Sequence, residues 1–211
     1  MANKGFSTLD SILARIEQLF LTVVIGLVPP ILFGLAGWRA GRLFASEQSI
    51  QYFVLGGFLL GVLLDLLFLR RLARRALRGP LLVPILIYLL YSVGLFVFFT
   101  GIPVINAALG PVGGYLMGIR LRVNKAQQPV VEKTAQHTGL FTTGVLALAC
   151  AAALAIAARD TSLETYINGL LALAKPFSRT AILALLTGGT VLLAALEYLI
   201  TRAAVKFARF L

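Results

Sequence analysis

Between Leu81 and Ile119 the chain runs for 39 residues without one charged side chain, about twice the length needed to cross a bilayer. A helix apolar on every side has no face to offer water, so a run of this kind belongs in lipid. Thr100-Gly101-Ile102-Pro103 lies near the midpoint and supplies turn chemistry, with Pro103 suited to the first turn of a returning helix. The run therefore predicts a helical hairpin made of spans 81–99 and 103–119.

The rest of the chain repeats the pattern. Apolar segments at 19–38, 52–69, 139–158 and 181–200 each approach the roughly 20 residues of a transmembrane helix. Overall 59% of residues are hydrophobic and 13% are charged, against about a quarter charged in a soluble domain. The expected fold is all-α: a polytopic integral membrane protein of about six transmembrane helices, forming a single membrane domain over 1–211. Ser7 with Asp10 forms a capping-box pattern at the head of an amphipathic lead-in to the first span. Within that span Pro29 and Pro30 remove two backbone donors and are expected to kink or break the helix. Residues 161–174 put Leu163, Tyr166, Ile167, Leu170 and Leu171 on one face, with Thr161 and Glu164 as a second capping box and Pro176 as a stop. This segment is expected to be an amphipathic helix lying in the membrane interface.

Charge sets the expected orientation. If the N-terminus is cytoplasmic, fourteen of the nineteen Lys and Arg residues lie on that side, and only Arg39, Arg42, Arg159, Lys175 and Arg179 lie opposite. The positive-inside rule then puts both termini in the cytoplasm. The net charge of +11 is explained by this topology, so no nucleic-acid partner is expected. The N-terminal segment lacks the order of a cleavable signal, because Asp10 and Glu17 interrupt it, and it is expected to be retained. The expected location is the inner (plasma) membrane of a prokaryotic cell.

Few residues carry chemistry. Arg70, Arg71, Arg74, Arg75 and Arg78 crowd the end of the second span and are expected to end it and to contact anionic lipid head groups. Asn106, Gly110, Gly114 and Gly118 recur every four residues and make a helix face without large side chains. Such a face can simply pack, with Gly57 and Gly61 as partners. It can also, with Pro111 and Gly113 beside it, unwind and expose backbone groups to a solute. Pro29 and Pro30 interrupt the first span as Pro111 interrupts the fourth, and paired interruptions of this kind mark binding sites in transporters built from inverted repeats. Asp65 and Glu197 lie within apolar runs, where an ionisable group costs several kcal/mol unless paired or hydrated. Arg70 and Arg202, each five positions further on, are the expected ion-pair partners, with cation coupling as the alternative role.

Other chemistry is poorly provided for. A single histidine, His137, and a single cysteine, Cys150, leave no nucleophile-base pair, no disulfide and no cysteine zinc site. The chain contains neither G-x-S-x-G nor G-x-x-x-x-G-K-[ST], so no enzyme, metal or cofactor is expected. The leading functional expectation is transport or permeation of a small solute. The candidate ligand-binding residues are Asn106, Gly110, Pro111, Gly114, Pro29 and Pro30. The rival is a non-catalytic scaffold or accessory subunit of a larger membrane complex. In either role the chain is expected to sit in lipid as a homo-oligomer or beside a partner membrane subunit.

Overall fold

The structure is a computed structural model that describes residues 4–44, 46–98, 104–171 and 177–211. The side chains of 4–14, 70, 97–98, 104–105, 166 and 170–171 lie outside that description. So do the Thr100 to Pro103 turn, Lys175 and the stop at Pro176. The described residues form helices and connecting turns, without strands. In order these are α1 (Lys4–Gly26), α2 (Val28–Phe44), a single 3-10 turn (Glu47–Ser49), α3 (Ile50–Arg78), α4 (Leu82–Phe98), α5 (Val104–Ala107), α6 (Leu109–Val123), α7 (Gln128–Arg159), α8 (Leu163–Leu171) and α9 (Arg179–Phe210). Among the described residues four elements are long and apolar enough to cross a membrane, Arg15–Phe44, Glu47–Leu69, Gln128–Arg159 and Arg179–Phe210, and the pair Arg71–Arg78 and Leu82–Phe96, bent by 110°, would make a fifth if it counts as one span. The uncharged run divides into shorter pieces, α4 with 17 residues and α6 with 15.

Several helices outrun their apolar segments. The arginine run does not end its helix, since α3 continues through it to Arg78 and closes where the Gly79 amide donates to the Arg75 carbonyl at 2.8 Å. Charge ends a membrane crossing, whereas a helix out in water keeps its backbone bonds, and arginine is a good helix former. For the same reason 120–138 is not one long loop. The residues outside helix there are 124–127, where Lys125 takes a left-handed φ of 50° and Pro129 opens the first turn of α7. At the N-terminus, α1 already begins at Lys4, so Ser7 lies inside the helix and is not its cap. Before α8 the local bonds come from Asp160, whose Oδ1 accepts from the Ser162 amide at 2.9 Å and the Ser162 hydroxyl at 2.7 Å.

The chain divides into two compact units, Met1–Val83 and Pro84–Leu211. In the first, α2 and α3 form an antiparallel pair whose backbones nearly touch. A Cβ placed on Gly57 would collide with the Phe33 carbonyl, and one on Gly37 with the Phe53 carbonyl. Pro30 lies flat on Gly61, its Cα 2.5 Å from where a Cβ would stand. The partners of Gly57 and Gly61 are thus Phe33, Pro29 and Pro30, and not the glycine face of the fourth span. The two prolines interrupt helical geometry only at Leu27. Leu27 still donates to Val23 at 3.2 Å and Ile31 to Leu27 at 3.1 Å across the break, so Arg15–Phe44 continues as one element.

In the second unit α6 runs parallel to α9, and α7 runs antiparallel to it. Gly110 faces Glu197 and Thr201, Gly114 faces Thr201 and Ala204, and Gly118 faces Val205 and Ala208. Thr142 meets Thr201, while the Thr143 hydroxyl donates to the Ala194 carbonyl at 3.5 Å. Below the apolar part, Lys206 and Arg202 pair with Glu132 at 2.7 and 3.7 Å, and Arg209 donates to the Ala126 carbonyl at 3.1 Å. At the other end Arg179 donates to the Ala158 carbonyl at 2.6 Å, and Asn168 exchanges two hydrogen bonds with the backbone of Phe177.

Adjacent glycines in α3 give a matched test of the close approach. A Cβ on Gly56 meets nothing within 4 Å, whereas one on Gly57 enters the α2 backbone. Gly57→Ala is expected to destabilise the first unit by about 1–3 kcal/mol, and Gly56→Ala to be neutral or to stabilise by less than about 1 kcal/mol. Reversible unfolding in mixed detergent micelles reads both. The Asp160 turn gives a pH dependence. The Ser162 hydroxyl and amide hold the Asp160 carboxyl below its ordinary value. A depressed carboxylate stabilises above its unfolded pKa and loses that contribution as pH falls through the folded one. Amide exchange at Ser162 is expected to quicken at acid pH beyond its intrinsic rate, and in Asp160→Asn that excess is expected to disappear.

Candidate functional site

The second unit encloses a polar cluster, built one helix at a time. Helix α9 contributes Glu197 and, one turn later, Thr201, which are 2% and 0% exposed. Helix α7 contributes Thr142, α4 contributes Tyr88 and Ser92 one turn apart, and the short α5 contributes Asn106; all four are buried. The Tyr88 hydroxyl donates to Glu197 Oε1 at 3.3 Å, and its ring tilts over Phe141 with centroids 5.5 Å apart. Asn106 Nδ2 donates to the Ser92 carbonyl at 3.2 Å and reaches the Ser92 hydroxyl at 3.4 Å. Successive turns of α4 therefore hold Glu197 and Asn106.

Gly110 lets this cluster close. A Cβ there would stand 2.5 Å from Glu197 Oε1, 2.6 Å from its Cγ and 2.6 Å from Thr201 Oγ1. Further along the same face, Gly114 and Gly118 lie against the α9 backbone, with the carbonyls of Thr201 and Val205 at 2.6 and 2.5 Å from where their Cβ atoms would stand. This part of the glycine face is thus filled by α9. Pro111 supplies no N–H to the carbonyl of Ala107, and the chain turns at Ala108 between α5 and α6. The interruption therefore falls between the two residues, Asn106 and Gly110, that face the cluster.

Donors are scarce here. The Thr142 hydroxyl stands 3.2 Å from the Gly139 carbonyl and 3.4 Å from Thr201 Oγ1, and it also interacts with the Glu197 carboxylate. It has one proton to give. Glu197 Oε2 and Asn106 Oδ1 are both buried and have no hydrogen-bond partner among the described residues. Arg202, five residues after Glu197, turns instead to Glu132 and to the Tyr198 hydroxyl at 3.4 Å, with its guanidinium 5.4 Å from the Tyr198 ring centroid. The two arms diverge because residues five apart on a helix point about 140° away from each other.

The first unit has a smaller counterpart. Asp65 of α3 rests on Gly26 just before the Leu27 break, with Oδ2 2.9 Å from where a Cβ would stand, and its buried Oδ1 has no partner among the described residues. The residue as a whole is only half-buried. Its expected partner, the Arg70 side chain, lies outside the described residues. Arg71, Arg74, Arg75 and Arg78 recur at i, i+3, i+4 and i+7, one basic face along the end of α3. Pro29, Pro30 and Asp65 thus belong to one unit, and Asn106, Gly110, Pro111, Gly114 and Glu197 to the other.

Ser92, Thr142 and Thr201 carry no mark in the sequence, because lone hydroxyls are common in transmembrane helices. Tyr88 stands out there only as a deep tyrosine. The available signal is spacing: Tyr88 and Ser92 are four apart, as are Glu197 and Thr201, so each pair shares a helix face. Compared with protein-family models, with curated proteins and with solved structures, the chain matches none.

The Tyr88 to Glu197 bond is open to a double-mutant cycle. Tyr88→Phe leaves Glu197 Oε1 without that hydroxyl and is expected to cost about 1–3 kcal/mol. In a Glu197→Leu background the same change is expected to cost at least about 1 kcal/mol less, as residues in one hydrogen-bond network do not add. Additive losses in detergent unfolding would show that the two side chains do not interact.

Proposed function

We propose that the chain is a small polytopic membrane protein that passes a small solute through a site centred on Glu197 and Asn106. The observation that carries this reading is the pair of buried, unpartnered oxygens, Glu197 Oε2 and Asn106 Oδ1, beside a proline-interrupted helix. Burying such groups costs about 1–3 kcal/mol or more each when nothing completes them. A purely structural bundle gains nothing from that cost, whereas a binding site recovers it when its ligand arrives. Polar groups at a helix interruption inside a bundle are how solute sites are made where lipid offers no hydrogen bonds.

In this reading α4 and the α5–α6 pair complete six crossings, with α8 in the interface. Both termini are cytoplasmic, at the inner membrane of a prokaryotic cell. The parallel course of α6 and α9 supports that arrangement, because spans four and six must run in the same direction. The arginine face of α3 lies against anionic head groups. The scaffold reading draws less support, since the glycine face that would receive a partner is occupied by α9 of the same chain.

Uptake into reconstituted vesicles tests the reading. Saturable flux of a small solute is expected, and Asn106→Leu is expected to reduce it at least tenfold. Gly144→Ala, where a Cβ meets nothing within 4 Å, should leave it unchanged. A protein that shows no flux across a solute panel, yet purifies in a stable complex insensitive to Asn106→Leu, would replace this reading with the scaffold.

A further inference from the structure

We infer that the Glu197 cluster is a binding site for a desolvated monovalent metal cation of the Na+ type. The inference rests on the permeation reading for its biological use, but the site itself is argued from its donors. Among the described residues, every polar side-chain atom of the cluster is an oxygen or is already donating. Glu197 Oε2 and Asn106 Oδ1 are unpartnered acceptors, the hydroxyl oxygens of Tyr88 and Thr142 keep lone pairs after donating, and that of Thr201 keeps one after accepting from Thr142. Hard oxygen donors of this sort suit hard cations and not the soft or borderline metals that prefer sulfur and imidazole.

Charge selects the valence. Glu197 is the one carboxylate of the cluster, and among the described residues no three His, Cys, Asp or Glu side chains come together as a metal site. A single positive charge leaves the buried site neutral, while a divalent ion leaves it with an excess charge in a medium that penalises it. The protein's own cations nearby do not fill the role. Arg202 is committed to Glu132 and Tyr198, Lys206 to Glu132, and Arg209 to the Ala126 carbonyl.

Geometry separates a metal cation from a proton. A proton bridges at most two oxygens, but a carboxylate and three hydroxyls from α4, α7 and α9 meet here, with Asn106 of α5 held one turn along α4 at Ser92. At the interruption Pro111 supplies no N–H to the carbonyl of Ala107, the residue after Asn106. Carbonyls released in this manner coordinate Na+ in transporters with broken helices. Gly110 lets Glu197 and Thr201 draw together, since any side chain there would meet both.

Direct counting of 22Na+ bound to the full-length protein in detergent, with N-methylglucamine holding ionic strength, tests the inference. Saturable binding near one ion per chain is expected, with competition by K+ or Li+ showing how size is selected within the class. Glu197→Gln is expected to abolish binding, and Thr201→Val and Asn106→Leu to weaken it at least tenfold. Helical circular dichroism and a monodisperse elution profile identify folded variants. If Glu197→Gln does not fold, the two milder variants decide. No alkali-ion binding by the wild type between pH 6 and 9, or binding unchanged in the folded variants, overturns the inference. Solute flux that needs Asn106 but proceeds without alkali cations removes the cation site and keeps the permeation reading. Stoichiometric Na+ binding with no flux does the reverse.

Discussion

Helices in lipid are not drawn together by the hydrophobic effect, since acyl chains are as apolar as leucine. What holds them is dispersion between closely fitted surfaces and the few polar bonds that fit allows. Both units of this chain meet that constraint by baring backbone. In the first, Gly57 and Gly61 admit Phe33 and Pro30 of α2; in the second, Gly110, Gly114 and Gly118 admit α9. Large apolar side chains such as Leu59, Leu63, Leu66 and Leu67 of α3 are correspondingly exposed, as a lipid-facing surface requires. The placement of the polar groups in the interior follows from these contacts.

Close packing also explains why the acids lie where they do. Asp65 rests on Gly26 and Glu197 on Gly110, each at a glycine within a few residues of a proline that interrupts its helix. A glycine offers a carboxylate room, and a proline removes the amide that would otherwise occupy the local carbonyl. The two sites differ in enclosure. Asp65 is half-buried, whereas Glu197 is 2% exposed and bonded to the Tyr88 hydroxyl. That difference makes Glu197 the more fully enclosed of the two acids.

Much of the helical architecture was legible in the apolar runs, because hydropathy reports directly what can face lipid. The long apolar parts of α1–α2, α3, α7 and α9 fall where those runs lie. Their ends were less legible. Arg71 to Arg78 and Gln128 to Thr138 are polar yet helical, since charge ends an apolar run without ending the helix. Partner choice was less legible still. Arg202 lies five residues from Glu197, but its direction around α9 sends it to Glu132, which only the fold brings near. Glu197 and Asn106 were visible as polar residues in apolar surroundings. Tyr88, Ser92, Thr142 and Thr201 gain their meaning from helix packing that no spacing rule specifies.

The length of α7 and α9 has a mechanical consequence. Each has 32 residues, or about 48 Å of helix, against a hydrocarbon core of about 30 Å. The surplus lies at the same end of both, Gln128 to Thr138 in one and Thr201 to Phe210 in the other, and there Glu132 zips it together through Arg202 and Lys206. Leu121 of α6 packs there too, against Val131, Ala135 and Val205, so this end of the second unit is tied together one turn from Glu197 at Thr201. The register that Glu132 fixes between α7 and α9 thereby sets the height of Thr201 and Glu197 against Thr142.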